Sequence, residues 1–259
     1  MRVRTLFLSD IHLGFKRARA AELLAFLRGV EAECIVLVGD IVDALSLARR
    51  VFWSPQHTQV LRLLLARQRA GARLVYLPGN HDESLGIFAD LLRGQMEVHR
   101  EWVHRTLRGE RLLVLHGDRF DSHVDYPNWL VRIGAASHDF TLLLNDGANR
   151  LLRSLGRPYY PLAERLKLLL ATSARYIERF ERAAAAHARA EGYDGVVCGH
   201  IHRATLRRVD GVTYCNTGDW VESCTAVVET LQGELQLLRW REGTHVATVG
   251  VSELAADPA

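Results

Sequence analysis

The chain has 259 residues, of which 48% are hydrophobic and 24% are charged, with a formal net charge of +3. This composition is ordinary for a globular protein, the length suffices for one large domain, and the charge is too small to indicate nucleic-acid binding by itself. No apolar run approaches the roughly 18 residues that span a bilayer, and the four cysteines show no CxxC pairing, which predicts buried free thiols in a reducing compartment.

The first third of the chain alternates between predicted strands and predicted helices. Arg2 to Ser9, Cys34 to Val38 and Arg73 to Leu77 are short apolar runs, as in buried strands. Between them, Ala18 to Val30 and Gln56 to Arg69 carry apolar residues at helical spacing. This βαβαβ order predicts a parallel sheet with helices on its faces.

The rest of the chain predicts a helical segment between hairpins. Val98 to Leu107 and Arg111 to Leu115 resemble the two arms of a hairpin, and Pro127 to Ala190 has helical spacing with no strand pattern. The predicted later strands are Gly195 to Cys198, a hairpin turning at Asp210-Gly211, Cys224 to Leu231 and Glu234 to Trp240. We predict one domain over residues 1–259 with a helical insertion over residues 124–192.

Polar side chains follow five of the predicted strands at the point where each ends. In chain order they are Asp10 and His12; Asp40 and Asp43; Asn80, His81 and Asp82; His116 and Asp118; and His200 and His202. Any one of these groups alone would be read as a turn. Parallel strands bring their carboxyl ends to one edge of a sheet, so five such groups together predict a functional site.

The residue types at this edge indicate metal chemistry. Asp, Asn and His without Cys offer oxygen and imidazole donors, which suit Mn, Fe or Zn in a catalytic site and disfavour a closed structural zinc site. About seven such donors are too many for one ion with open positions. Two ions about 3.5–4 Å apart that share a carboxylate would use them all.

The motif series D-x-H, G-D-x-x-D, G-N-H-D, H-G-D and G-H-x-H, in this order between residues 10 and 202, resembles the calcineurin-like metallophosphoesterase superfamily. The resemblance implies an α/β fold, a sandwich of two mixed β-sheets flanked by helices, with a helical insertion. It also implies two divalent metal ions, with Mn as the expected metal and Fe or Zn fitting the same donors. One ion would be held by Asp10, His12 and His202, the other by Asn80, His116 and His200, with Asp40 bridging.

Residues beside these ligands have predicted roles of their own. The resemblance places His81 next to the leaving group as a proton donor, and Asp82 is expected to orient that ring. Asp118 is expected to accept a hydrogen bond from a metal-bound histidine. Asp43 would hydrogen-bond near the metals or cap a turn. Three basic residues are candidate substrate contacts with equally good structural explanations: Lys16, Arg17 and Arg203.

Four further stretches resemble one branch of the superfamily, the UDP-2,3-diacylglucosamine diphosphatase-like proteins of lipid A biosynthesis: SDIHLG, HGDRFD, GHIHRA and YCNTGDWVES. That branch cleaves a diphosphate with water, releasing UMP and an acylated sugar phosphate. The insertion is rich in Leu, Arg and aromatic residues, which suits a cap over acyl chains or a self-packed helical subdomain. The best-known lipid A enzymes carry Arg where this chain has His81.

The leading hypothesis is therefore a two-metal hydrolase that cleaves the diphosphate of UDP-2,3-diacylglucosamine, or of a similar nucleotide-linked glycolipid, by attack of a metal-bridging hydroxide. The alternative is a soluble metal-dependent phosphodiesterase or phosphatase acting on nucleotides or phosphoproteins. A nuclease is less favoured, and a scaffold without catalysis is disfavoured because all seven ligand positions are filled. The expected location is cytoplasmic, as a peripheral protein on the inner face of the inner membrane.

Overall fold

The computed structural model describes residues 1–83, 94–123, 162–241 and 244–250. In chain order the elements are β1 (Arg2–Leu8), α1 (Ala20–Gly29), β2 (Glu31–Val38), α2 (Ala44–Arg49), α3 (Pro55–Arg69), β3 (Arg73–Leu77), β4 (Glu97–Val98), β5 (Trp102–Arg105), β6 (Arg111–Val114), a 3-10 turn (Asp118–His123), α4 (Leu162–Ala190), β7 (Gly195–Cys198), β8 (Thr205–Val209), β9 (Val212–Asn216), β10 (Thr225–Glu229), β11 (Leu235–Arg241) and β12 (Thr244–Gly250). No helix in these ranges is both long and apolar enough to cross a membrane.

The strands form two mixed sheets. The larger sheet has the strand order β12-β11-β10-β1-β2-β3-β4, and the smaller one has the order β5-β6-β7-β9-β8. Both belong to a compact unit made of residues 1–119 and 184–259, while residues 120–183 form a second unit. The predicted fold class, two mixed β-sheets flanked by helices, is confirmed.

The core follows from the alternation of side chains along the central strands. In β1, Phe7 packs in a cluster with residues of the smaller sheet, such as Val114 and Val197. Its neighbours Leu6 and Leu8 belong to the cluster on the opposite face, where α1 and α3 lie. Successive residues of a strand point to opposite faces, so β1 is apolar throughout because both of its faces are covered.

The structure corrects the sequence-based elements at a few places. Val98 pairs in parallel with β3 as part of β4, so the hairpin starts at Trp102 and not at Val98. The short helix α2 and the strand β12 had no sequence prediction. The predicted helical character of the insertion is confirmed for residues 162–190, whereas residues 124–161 lie outside the described residues. All four cysteines are free, and three of them are buried.

A buried ion network joins the two sheets at the amino-terminal half of β1. Glu229 on β10 has no exposed surface, and its Oε2 lies 2.5 Å from Arg4 and 2.7 Å from His104 Nε2 on β5. Its Oε1 accepts a hydrogen bond from the Leu107 amide at 2.7 Å. Burial by itself raises the pKa of Glu229, but the bonds from His104, Leu107 and Arg4 hold that pKa below its ordinary value. Glu229 therefore stays ionised and links β1 and β10 of the larger sheet to β5 of the smaller sheet.

Replacing Glu229 with Ala should lower the free energy of unfolding by about 3–5 kcal/mol, because the buried His104 ring loses its hydrogen-bond partner and the partly exposed Arg4 loses its counter-charge. Urea unfolding at pH 7 measures this loss, with Arg2→Ala, which breaks an exposed ion pair, as the control.

The stabilisation by Glu229 depends on pH. Since the pKa of Glu229 is lower in the folded chain, its contribution to the free energy of unfolding is present above pH 4.5 and is lost on further acidification. A loss below about 1 kcal/mol, the range of an exposed pair, would contradict the role of this network.

Candidate metal centre

The polar loops that follow five strands converge at one edge of the two sheets. β1, β2 and β3 are parallel neighbours in the larger sheet, and β6 and β7 are parallel neighbours in the smaller one. Parallel strands place their carboxyl ends side by side. The loops carry every residue that was predicted as a metal ligand: Asp10, His12, Asp40, Asn80, His116, His200 and His202.

The first group of ligands consists of Asp10, His12 and His202. Their donor atoms lie within 4.8 Å of one another, and His202 Nε2 is 3.2 Å from Asp10 Oδ1. The Nε2 atoms of His12 and His202 face each other across 3.4 Å. Two imidazole nitrogens at this distance need a proton or a cation to share, because each otherwise presents a lone pair to the other. This group is the set that was predicted to hold one divalent ion.

Asp40 lies between this group and the remaining predicted ligands. Its Oδ2 is 3.7 Å from His12 Nε2 and 3.4 Å from His116 Nε2. Asn80 Oδ1 is 3.3 Å from the same His116 nitrogen, and the ring centres of His116 and His200 are 5.2 Å apart. The structure therefore brings all seven predicted ligands together, with Asp40 in the central position.

Five of the seven have backbone conformations that residues with side chains rarely adopt. Their φ angles lie in the left-handed region, at a cost of about 1–3 kcal/mol each, and such strain concentrates at functional sites. These residues are Asp10 (49°), His12 (52°), Asp40 (54°), His200 (70°) and His202 (54°). No pattern in the sequence marked this strain.

Polar side chains behind the loops hold them in place. Ser9 Oγ hydrogen-bonds with the Asp10 carboxylate and with Thr217 Oγ1. Asn216 Nδ2 donates to the Gly199 carbonyl at 2.7 Å, and Asn216 Oδ1 accepts from the amide of Gly218 at 3.0 Å. These contacts connect the Asp10 loop and the G-H-x-H loop to the turn that follows β9. Sequence reasoning had missed Ser9.

His116 is oriented by the backbone and not by Asp118. Its Nδ1 lies 2.9 Å from the carbonyl oxygen of Val38, at the end of β2, which leaves Nε2 facing Asp40. Asp118 is exposed and makes no hydrogen bond or ion pair with any residue of the described ranges. The expectation that Asp118 accepts a hydrogen bond from a ligand histidine is therefore corrected: a carbonyl group fills that role for His116.

His81 is paired with Asp43. Its Nδ1 lies 3.0 Å from Asp43 Oδ1, and its Nε2 points towards Asp40 Oδ2 at 4.0 Å. Asp43 also caps α2 by accepting from the Ser46 amide at 2.8 Å, so both expected roles of Asp43 are present. Burial raises the pKa of Asp43, but hydrogen bonds from His12, His81 and Ser46 outweigh it and hold the pKa well below its usual range. Asp43 is therefore a carboxylate that can stabilise a positive charge on His81.

Asp82 does not fill the place expected for it beside His81. Its buried carboxylate accepts hydrogen bonds from the Gly79 amide at 2.6 Å and from the Ile41 amide at 2.7 Å. Burial and the nearby Asp40 raise its pKa. Asp82 thus binds the loop after β2 to the loop after β3, and the carboxylate aligned with His81 is Asp43.

The electrostatics of the centre require positive charge. Burial by itself raises the pKa of Asp10 and of Asp40, yet the surrounding histidines hold both values below the usual range. Burial by itself lowers the pKa of His116, but Asp40 and Asp10 raise it to about 10. Buried carboxylates among convergent imidazole nitrogens fit divalent cations of the Mn, Fe or Zn type.

The predicted substrate contacts lie on the surface. Lys16, Arg17 and Arg203 are exposed. Arg17 lines a shallow cleft with Arg19 near the start of α1. Contact of these three residues with a substrate phosphate stays a prediction.

Comparison with known proteins gives three findings. Residues 3–204 match the family described as calcineurin-like phosphoesterase. UDP-2,3-diacylglucosamine hydrolase of Neisseria meningitidis serogroup B is 25% identical over 244 residues, covering 83% of this chain and 88% of that protein. The hydrolase of the same description from Serratia proteamaculans is 30% identical over 125 residues, 45% of this chain, and the match spans only 48% of that relative.

Among solved structures, a single mutant of Vps29 from Entamoeba histolytica has a similar fold. Its TM-score is 0.50 at 12% sequence identity, with 95% of this chain and 98% of that chain covered. At this identity the likeness extends to the fold alone.

Gly39→Ala should remove most metal binding. Gly39 has φ +81°, and an added Cβ would overlap the imidazole of His116. Gly211 has a matching φ of +82° with nothing within 4 Å of an added Cβ, so Gly211→Ala tests the backbone strain alone. Mass spectrometry of the proteins after loading with Mn measures bound metal, and circular dichroism confirms folding. Equal metal content in the two variants would show that the His116 position does not depend on Gly39.

Proposed function

This chain belongs to the calcineurin-like phosphoesterase family of metal-dependent phosphoester hydrolases, and we propose that it cleaves the diphosphate of UDP-2,3-diacylglucosamine or a similar nucleotide-linked glycolipid. The products would be UMP and a lipid sugar phosphate. The observation that carries the proposal is the similarity to the Neisseria hydrolase, which extends over 83% of the chain and so beyond the ligand motifs. The convergence of all seven predicted ligands supports the hydrolytic part.

The metal ions would be held by two groups of residues that share Asp40. Asp10, His12 and His202 would bind one ion, and Asn80, His116 and His200 would bind the other. When bound, two divalent cations activate a water molecule and neutralise charge on the phosphoryl oxygens. We propose Mn as the native metal, while Fe and Zn suit the same donors.

His81 would act on the leaving group. Its Nε2 points into the centre, 4.0 Å from Asp40 Oδ2, and Nδ1 faces the Asp43 carboxylate. Donation of the Nε2 proton to the departing oxygen stabilises that oxygen as the bond to phosphorus breaks. Asp43 keeps the ring oriented and favours its charged form before the transfer. Asp82, which accepts hydrogen bonds from the Gly79 and Ile41 amides and does not face His81, would act as a positioning residue.

The remaining parts of the proposal concern how the lipid is bound. The insertion, residues 124–192, would cover the acyl chains, and Lys16, Arg17 and Arg203 would contact phosphate groups. A substrate of this kind resides in a bilayer, which would place the protein on the inner face of the inner membrane, in the cytoplasm, with a function in lipid A biosynthesis.

One residue favours a second candidate function. His81 stands where the best-known lipid A enzymes have Arg, and the His form of this motif matches the broader superfamily of phosphomonoesterases and phosphodiesterases. A metal-dependent phosphodiesterase or phosphatase acting on soluble nucleotides or phosphoproteins would use the same ligands and the same His81–Asp43 pair.

The substrate is tested by measuring UMP release from UDP-2,3-diacylglucosamine with added Mn. We expect metal-dependent release by the wild type and none above background by His116→Ala, which lacks a ligand nitrogen. A generic aryl phosphodiester is assayed in parallel. Cleavage of the diester without release of UMP would discard the lipid and leave the phosphodiesterase as the function.

The role of His81 is tested by His81→Ala together with Asp43→Asn. We expect His81→Ala to retain its metal and to lose about 10²–10⁴-fold in turnover, with the larger loss on poor leaving groups that need a proton. Asp43→Asn should show a smaller loss with the same dependence. The measurements are kcat for a series of aryl phosphodiesters and metal content by mass spectrometry. An equal loss across the series would rule out proton donation by His81.

A further inference from the structure

The segment from α2 to the start of α3 exposes apolar side chains next to the metal centre. Leu45, Val51, Phe52 and Trp53 are 48%, 80%, 36% and 39% exposed, and they are four of the seven large apolar residues found exposed in the described ranges. The helix α2 has no buried residue. Val51, Phe52 and Trp53 are consecutive, and grouped exposed apolar side chains of this kind usually mark an interaction site.

The same region is strongly basic. Between Asp43 and Asp82 the sequence holds six arginines and no Asp or Glu. Two of the six are engaged elsewhere, because Arg67 donates to carbonyls at the end of α1 and Arg73 pairs with Glu97. Arg49 and Arg50 are exposed and form no ion pair with any residue in the described ranges. Arg62 is exposed on α3. The surface around the apolar residues is therefore complementary to an anionic partner.

The segment is held firmly against the Asp10 loop. The rings of Phe52 and Trp53 stand edge-on to His57, with centroids 5.7 and 5.2 Å away. His57 is buried, and its Nδ1 accepts a hydrogen bond from the Gly14 amide at 3.2 Å. At the other end, the Leu47 side chain lies in contact range of Gly14. Because the segment is already ordered, little conformational entropy is lost when it binds a surface.

We infer that residues 45–53 dock the protein on an anionic lipid bilayer, with Phe52 and Trp53 entering the interface and Arg49 and Arg50 contacting lipid phosphates. Aromatic residues favour the membrane–water interface, and each arginine near an anionic leaflet adds to binding. A uniformly basic segment without acidic residues matches a continuous anionic surface better than a protein surface of mixed charge. The inference rests on the proposed function, because a glycolipid substrate would be reached from such a surface, close to the Asp10 loop.

The test is co-sedimentation with phosphatidylcholine vesicles that contain or lack phosphatidylglycerol, without substrate. We expect the wild type to bind the anionic vesicles, and we expect Phe52→Ser/Trp53→Ser and Arg49→Gln/Arg50→Gln each to lose about tenfold or more in partitioning. Leu231→Ser is the matched control, because Leu231 is 43% exposed on the turn after β10. Arg49→Gln/Arg50→Gln, which removes no contact with His57 or Gly14, should cleave a soluble aryl phosphodiester at the wild-type rate.

Two outcomes would overturn the inference. The first is wild-type binding that is absent, or is weakened equally by Leu231→Ser. The second is a dimer in analytical ultracentrifugation that Phe52→Ser/Trp53→Ser dissociates, which would assign the segment to a second copy of the chain. Vesicle binding without UMP release would support the docking surface and contradict the proposed substrate. UMP release without vesicle binding would support the proposed substrate and contradict the docking surface.

Discussion

The buried carboxylates of Asp10 and Asp40 govern the architecture around them. Both are almost fully inaccessible to water, and a lone ionised carboxylate in such a position would be prohibitively unstable. Positive charge must therefore stand beside them, as imidazolium groups or as bound cations. The histidines of four loops meet this requirement only if every loop holds its ligand in place. Ser9, Asn216 and Asp82 provide that restraint through hydrogen bonds to neighbouring loops.

The two packed sheets hold the strained ligand loops in place. The three loops that carry the five left-handed ligands would not persist on a weakly packed scaffold, because each would relax to an ordinary conformation. Here β1 is covered by helices on one face and by the smaller sheet on the other. The Glu229 network links the sheets at the opposite half of β1 from Asp10. The packing of the core therefore offsets the backbone strain at the metal centre, and the strained ligand conformations persist for that reason.

The sequence predicted the ligands well because their positions follow from strand geometry. Asp10 and His12 end an apolar run, and the parallel order of β1, β2 and β3 was readable from alternating segments. The orientation of these side chains could not be predicted from the sequence. His116 is held by the carbonyl of Val38, and every residue has a carbonyl, so no pattern distinguished this acceptor from Asp118. The Asp43–His81 pair joins residues 38 positions apart, and only the folded loops show that Asp43, and not the adjacent Asp82, faces the ring.

The contact between Gly14 and His57 has a consequence for proton uptake by the whole molecule. Since Nδ1 accepts the Gly14 amide hydrogen, the ring must be the neutral tautomer that carries its proton on Nε2. Burial lowers the pKa of His57, so the folded chain resists a proton that the unfolded chain takes up below pH 6.5. Acidification through that range therefore lowers the free energy of unfolding, because His57, at the junction between α3 and the Asp10 loop, takes up its proton more readily in the unfolded chain.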